Sequence, residues 1–151
     1  MLDSKEEELF LFPGRIIMEY KYAAGLVGSR FLTELRDNQR IMGIRCPKCN
    51  RVYVPPRLTC KECFGNLDEW MELSGKGTLS SYTVVYYSEP FQPVEPPIIY
   101  GIIQLDGADT GLPHLLGEVE PEKVRIGMRV EPIFKVEREG NILDIKYFKP
   151  L

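Results

Sequence analysis

Apolar and polar positions follow three different rhythms along this chain, and each change of rhythm marks a boundary. Over residues 20–38 the apolar side chains Ala23, Leu26, Val27, Phe31 and Leu35 recur at three- and four-residue steps, with Lys21, Arg30, Glu34 and Asp37 between them. That spacing predicts an amphipathic helix. Gly25 and Gly28 weaken it, at up to about 1 kcal/mol per helical glycine, so a break near residues 25–29 or a close backbone contact is expected there. Ile41-Met42-Gly43-Ile44 predicts a short strand, and Arg51-Val52-Tyr53-Val54 its hairpin mate, stopped by Pro55-Pro56. Beyond residue 66 the period is that of β-structure throughout, with strands expected at 67–73, 78–87, 98–105, 115–119, 129–136 and 142–148. Gly75-Lys76-Gly77 and Glu139-Gly140-Asn141 supply turns, and the run from Thr78 to Tyr87 is long enough to bend and serve two sides of a closed barrel.

The organisation that follows is an N-terminal arm with helices over 1–40, a ribbon over 41–66 and a β-barrel of OB type over 67–151. The fold class is therefore mainly β with N-terminal helices. Residues 1–19 mix acidic and apolar side chains around Pro13-Gly14 and are expected to be extended or partly disordered, with Leu9, Phe10, Leu11 and Phe12 available to dock on something. Pro90-Phe91-Gln92-Pro93-Val94-Glu95-Pro96-Pro97 is expected as a stiff, irregular loop where such barrels carry binding surface.

Charge changes this picture by dividing the chain. Although the net charge is only −3, residues 30–61 hold eight Lys or Arg against Glu34 and Asp37, a local excess of +6. From residue 78 onward seven basic face eleven acidic residues, so the barrel is net −4 and a poor general polyanion binder. An anionic ligand belongs near the ribbon, unless the basic window is simply a solvated face. No apolar run approaches the roughly 20 residues of a membrane span, and the acidic start lacks the features of a secretory signal, so a cytoplasmic protein with reduced thiols is expected.

The chemistry lies in the cysteines. All four occur as Cys46-x2-Cys49 and Cys60-x2-Cys63, ten residues apart, so two tight knuckles on one hairpin can set four thiolates at the vertices of a tetrahedron with metal–sulfur distances of about 2.3 Å. Disulfides are disfavoured by compartment, and a redox pair by the matched second pair. Zinc is the expected ion, with iron held as in rubredoxin its rival. Four cysteine ligands leave no place for water, which makes the ion structural rather than catalytic. Asn50 follows the first pair where a residue tolerant of positive φ is wanted, and Gly65 lies just after the second.

Other chemistry is sparse. There is no Gly-rich phosphate loop, nucleophile elbow or histidine pair, and the sole histidine, His114, has no evident partner in sequence; no catalytic residue is nominated. Tyr82, Tyr86, Tyr87 and Phe91 could stack bases as on single-strand-binding OB folds, but strand propensity and packing explain them more cheaply, and the negative barrel opposes nucleic acid.

The segment comprising Tyr22, Gly25, Phe31-Leu32, Ile41-Met42-Gly43-Ile44-Arg45-Cys46-Pro47-Lys48-Cys49, Val52-Tyr53-Val54-Pro55-Pro56-Arg57 and Cys60-x2-Cys63 resembles the DUF35 family, as do Gly75-Lys76-Gly77-Thr78-Leu79 and Ile126-Gly127-Met128-Arg129-Val130 in the barrel. Asn50 and Phe64 stand where glycine is common in that knuckle. The resemblance implies a rubredoxin-like zinc ribbon followed by an OB fold, metallated because all four cysteines are present. It also implies an acyl-CoA-associated, non-catalytic scaffold joined to a thiolase or a 3-hydroxy-3-methylglutaryl-CoA synthase, with CoA or an acyl-CoA as ligand. CoA carries a 3′-phosphate and a pyrophosphate, for which Arg30, Arg45 and Arg57 in the basic window are the candidate bidentate donors. The rival readings are a nucleic-acid-binding zinc-ribbon and OB module, an iron–sulfur-type electron carrier and an independent enzyme.

Overall fold

A computed structural model describes residues 10–151, and the expectation placed on residues 1–9 lies outside them. Residues 10–24 adopt no regular structure and are exposed, which for residues 10–19 is what the mixed composition of the arm predicts. Helix α1, Gly25–Thr33, begins later than the apolar period suggests and continues into a π-helical turn, Glu34–Asn38. The start is set by Gly25 at φ 72°, a left-handed conformation that cannot belong to a right-handed helix and that glycine adopts without penalty. Residues 20–24 are thereby kept out of the helix, and the expected helices reduce to one. Gln39, at φ 54°, closes the π turn.

Only the C-terminal half of the apolar stripe finds a core. Phe31 and Leu35 are buried, whereas Ala23 and Leu26 remain in solvent. The arm is similar, with Phe10, Leu11, Phe12, Ile16, Ile17, Met18, Tyr20 and Tyr22 all exposed. Over a dozen consecutive positions this is more apolar surface than isolated surface hydrophobics produce.

The ribbon sheet consists of β1 (Ile41–Arg45), β2 (Val52–Tyr53) and β3 (Glu69–Leu73), in the order β2-β1-β3. The β1–β2 hairpin holds the first cysteine pair in its turn, as the sequence predicts. Strand β3, counted from sequence among the barrel strands, pairs instead along all of β1, from Ile41↔Leu73 to Arg45↔Glu69. The barrel proper has five strands: β4 (Gly77–Val85), β5 (Ile98–Leu105), β6 (Gly111–Leu116), β7 (Arg129–Phe134) and β8 (Ile145–Pro150), closed in the order β4-β5-β6-β8-β7. Gly101 on β5 faces the side chains of Leu79 and Leu116 so closely that a Cβ has no room, which leaves the space to those two leucines. Two strands depart from their expected limits. β6 starts four residues before the predicted 115 and stops at Leu116, because Gly117 and the positive-φ Glu118 turn the chain away. Residues 142–144 form a 3-10 turn rather than the start of β8, because the Asp144 carboxylate is drawn back onto the preceding backbone.

Ribbon, helix and barrel share one core. Phe31 and Leu35, from α1 and the π turn, Ile41, Val52, Val54 and Leu73 of the ribbon, and Leu79, Ile103, Val130 and Phe148 of the barrel belong to a single buried cluster. The β5–β6 turn clasps the outer edge of the ribbon: Asp109 accepts the Val52 N–H at 2.8 Å and donates its own N–H to the Val52 carbonyl at 2.8 Å. Thr110 Oγ1 both accepts from Val54 N–H and donates to Val54 O, each at 2.8 Å. An edge strand covered in this way has no free ladder to offer a neighbour.

His114 has the partners that the sequence leaves unseen. It is buried in β6, its Nε2 lies 3.1 Å from the Ile142 carbonyl, its Nδ1 accepts the Leu115 N–H at 2.9 Å, and its ring meets Phe148 edge-on. These bonds suit the neutral ring with the proton on Nε2, since a second proton on Nδ1 would face an N–H donor. Burial holds the pKa below its ordinary 6.5. A folded-state pKa below the unfolded value gives stability that is complete above about pH 6.5 and lost as pH falls towards the folded value, where the unfolded chain binds the extra proton. Melting curves between pH 7.5 and 5.5 are expected to show this decline, and His114→Gln is expected to flatten it; an equal slope in both proteins would refute the assignment.

Candidate metal centre

Each cysteine pair sits in a knuckle made by backbone hydrogen bonds that its sequence makes easy. Cys46 N–H bonds to Arg51 O at 2.8 Å and Asn50 N–H to Cys46 O at 2.8 Å; in the second knuckle Cys60 N–H bonds to Gly65 O at 2.9 Å and Phe64 N–H to Cys60 O at 3.0 Å. Asn50 and Phe64 occupy equivalent places, at φ 57° and 56°. Asparagine tolerates that conformation, as expected from sequence, but phenylalanine tolerates it poorly, and it is Phe64 rather than Gly65 that takes it. Phe64 nevertheless has 80% of its surface in solvent, so it returns no packing for its strain.

The four Sγ atoms lie within 4.8 Å of one another, with Cys46 and Cys63 3.6 Å apart, and all four cysteines are free thiols. Four sulfurs at about 2.3 Å from a common ion are about 3.8 Å apart along each tetrahedral edge, so the cluster fits one zinc ion. Among the described residues no other group of side chains is arranged to hold a metal. Cys46 and Cys60 are buried and Cys49 and Cys63 half-buried. Ile44, Tyr53, Leu67 and Trp70 close around them in a second, smaller apolar cluster.

Tyr53 carries a role that sequence reading does not supply. Its side chain is wholly buried, and its hydroxyl lies 3.2 Å from Cys60 Sγ. That O–H, followed by the backbone N–H of Cys63, brings the Cys60 thiol down to about 6, while the Tyr53 hydroxyl itself is pushed up to about 12. Cys49, hydrogen-bonded first of all to Cys63, is held up at about 12. Zinc must displace that proton, so affinity falls as pH falls. With zinc bound, the Tyr53 O–H donates to a thiolate and stabilises it as a ligand. Tyr53→Phe keeps the ring and removes the donor; zinc transfer to a colorimetric chelator is expected to be faster by on the order of 10-fold. An unchanged rate would reduce Tyr53 to packing.

The arginines named from the basic window separate. Arg57 stacks over the Tyr53 ring at 5.1 Å and lines an open, mainly apolar cleft of about 450 Å³ between Pro56-Arg57-Leu58 and the first turn of α1. Arg30 lies over Trp70 at 4.3 Å, and Arg45 approaches Met71 Sδ at 3.7 Å, so neither lines that cleft. The first turn of α1 carries no side-chain cap and no acidic residue, and its residues Gly25 to Gly28 line the cleft, so the positive end of the helix borders it. No helix among the described residues is long and apolar enough to cross a membrane.

With this geometry in hand, comparison with known proteins is consistent at every level. Residues 33–68 match the rubredoxin-like zinc ribbon domain of ChsH2, and residues 70–135 its C-terminal OB-fold domain. A DUF35 domain-containing scaffold protein of Methanocaldococcus jannaschii is 32% identical over 126 residues, covering 78% of this chain and 86% of the relative. One from Methanothermobacter thermautotrophicus is 32% identical over 117 residues, covering 73% and 86%. Among solved structures, the Ltp2-ChsH2(DUF35) aldolase superposes with a TM-score of 0.61 at 26% identity, covering 81% of this chain and 93% of that one. A DUF35-family protein of unknown function from Sulfolobus solfataricus gives 0.59 at 25% identity, covering 72% and 78%. Ribbon, barrel and cysteine set together show that this chain belongs to the DUF35 family, with an intact structural zinc site.

Proposed function

We propose that this chain is a non-catalytic accessory subunit that docks on an acyl-CoA enzyme of thiolase or 3-hydroxy-3-methylglutaryl-CoA synthase type and forms one wall of the passage that retains the CoA thioester. The observation that carries the docking half is the arm: eight large apolar side chains from Phe10 to Tyr22, followed by Leu26, stand in solvent along one continuous stretch of chain. Such a surface is what an obligate partner covers. The relatives named as scaffold proteins, and the structural neighbour named as an aldolase with a DUF35 component, support this reading.

The CoA half rests on the cleft. Apolar walls from Leu26, Val27, Pro56 and Leu58 suit a pantetheine chain, while Arg57 and the uncapped α1 amides suit a phosphate. Arg30 and Arg45 serve as a wider positive field in this arrangement. Co-purification of the tagged chain from its own cells, with mass spectrometry and metal analysis, tests the docking. An acyl-CoA enzyme subunit with about one zinc per chain is the expected recovery. In that complex Arg57→Glu is expected to weaken CoA binding on the order of 10-fold or more. Recovery of nucleic acid in place of an enzyme would overturn the reading.

A further inference from the structure

We propose that loops 86–97 and 135–144, which converge on one side of the barrel, form a second docking surface whose occupant is a basic, apolar segment of a partner protein. The inference rests on the scaffold reading and names a contact that reading does not assign. The surface shares no residue with the arm or the cleft at α1.

The first observation is aromatic exposure held in place. Tyr86, Tyr87, Phe91 and Val94 on one loop and Val136 on the other are exposed, Phe91 to 83%. The loop that presents Phe91 is wired: Glu89 N–H donates to Gln92 Oε1 at 2.8 Å, Gln92 N–H to Glu89 O at 3.1 Å, and Gln92 Nε2 to Tyr87 O at 3.1 Å. Prolines 90, 93, 96 and 97 fix four of its φ angles. The aromatic side chain is thus held out in water by a pre-formed loop, and a rigid aromatic anchor loses little entropy on association.

Beside that anchor lies a receptor for the partner's own side chain. A mainly apolar cavity of about 220 Å³ opens between the loops, with Pro93 on one side, Ile142 and Leu143 on the other, and Tyr100, Pro113 and His114 between. His114 has both ring nitrogens occupied by Ile142 and Leu115, so the cavity asks for an apolar group. In an OB barrel the face of the second and third strands, with the loops that correspond here to 86–97 and 135–144, is the surface used to hold oligonucleotides and oligosaccharides, so the position suits a ligand and the charge decides which.

Charge identifies the occupant. The exposed ionic groups on the two loops are Glu89, Glu95, Glu137 and Glu139, against Lys135 alone. Arg138 is half-buried and its guanidinium is engaged by backbone carbonyls, its Nε donating to Arg36 O at 2.6 Å and its Nη1 to Lys135 O and Val136 O, and Asp144 is buried on backbone amides. Of the neighbouring cations, Arg36, whose guanidinium reaches Gly140, is paired with Asp37 at 2.7 Å, and Lys146 lies over the Tyr147 ring. A net negative rim around exposed aromatics repels phosphodiesters and favours lysine or arginine flanking an apolar side chain.

The test uses the full-length tagged chain expressed in its own cells, with every co-purifying subunit identified and quantified. Three versions are compared with the wild type: Phe91→Ser; Glu89→Lys with Glu95→Lys; and Ile16→Ser with Ile17→Ser in the arm. The two loop versions are expected to retain zinc and melting temperature, to keep the subunit held by the arm, and to lose a second subunit at least 10-fold. A Phe91→p-benzoylphenylalanine version is expected to cross-link to a peptide of that second subunit containing Lys or Arg. Full retention of every subunit by the loop versions overturns the proposal, as does cross-linking only to nucleic acid or to another copy of this chain. If only the arm version loses a subunit, the proposal falls while the scaffold reading stands; if no version loses any, both fall.

Discussion

Stripping zinc, or replacing Cys60 with serine, is expected to lower the stability of the chain by about 5 kcal/mol or more, roughly 10–20 °C in melting temperature for a protein of this length. The magnitude follows from what the ion replaces. Around the sulfurs the buried cluster consists of Ile44, Tyr53 and Leu67 with Trp70 partly covered, too little apolar surface to hold two knuckles and a two-residue strand together. The opposite face of the ribbon behaves differently, because Ile41, Val52, Val54 and Leu73 are built into the main core. Metal loss should therefore loosen residues 46–67 while the barrel keeps its β-signal. Trp70 is the only tryptophan and packs on the cysteine cluster, so its emission reports the ribbon directly. A red shift on chelation, reversed by zinc, with little change in far-ultraviolet dichroism, is the expected result. Cys49→Ser, at a half-buried position, should cost less than Cys60→Ser at a buried one, where the shorter side chain also lengthens the contact with the Tyr53 hydroxyl. Identical melting and Trp70 emission with and without zinc would mean that the apolar cluster alone holds the ribbon.

The same residues show which physical information the sequence exposes and which it conceals. The zinc site is legible because metal coordination is encoded locally: each Cys-x2-Cys knuckle is a short turn in itself. Only the first, however, lies in the β1–β2 hairpin; the second, flanked by the Thr59–Asn66 bridge, lies between β2 and β3 rather than on the same hairpin as expected. The five barrel strands are legible because period-two alternation is local as well. Contacts that bridge distant segments are concealed. Nothing around Val52 and Val54 announces that Asp109 and Thr110, more than fifty positions away, complete their hydrogen bonds, and nothing beside Pro113 announces that His114 reaches Ile142. Tyr53 is an intermediate case. Its place in the strand after the first knuckle is evident, but its aim at Cys60 depends on how the second knuckle folds over. The assignment of β3 fails for a related reason, since residues 67–73 alternate equally well for a ribbon or a barrel and only pairing with β1 decides. Helix α1 shows the converse: a good apolar period over 20–38 is overruled at one position by the φ of Gly25. Charge alone groups the three candidate arginines, and the fold sends Arg57 to the cleft and Arg30 onto Trp70.

Asp144→Ala is expected to destabilise the chain by about 2–4 kcal/mol, roughly 5–15 °C in melting temperature, the largest effect expected of any residue outside the zinc site and the main core. The carboxylate is 1% exposed and accepts three backbone amides: Glu139 N–H at 2.9 Å, Gly140 N–H at 2.7 Å and Asn141 N–H at 3.2 Å. Asn141 reciprocates by accepting Leu143 N–H at 2.8 Å, which completes a capping box on the 3-10 turn before β8. Alanine leaves those donors without acceptors and opens the loop to water. The milder change Asp144→Asn retains one acceptor oxygen but sets an NH₂ against N–H donors, so about half the loss or more should remain. The consequence is not confined to the loop. Arg138 on the same loop holds the Arg36 carbonyl of the π-helical turn at 2.6 Å, so slackening of residues 135–144 should propagate to residues 34–38. Hydrogen exchange gives the decisive reading: amides 139–141 are expected to lose protection first and those of the π turn with them, while β4 and β5 stay protected. Equal protection in variant and wild type would show that the loop is held by its backbone turns alone. A selective loss would show that one buried carboxylate ties the 135–144 loop of the barrel to the helix that leads into the arm.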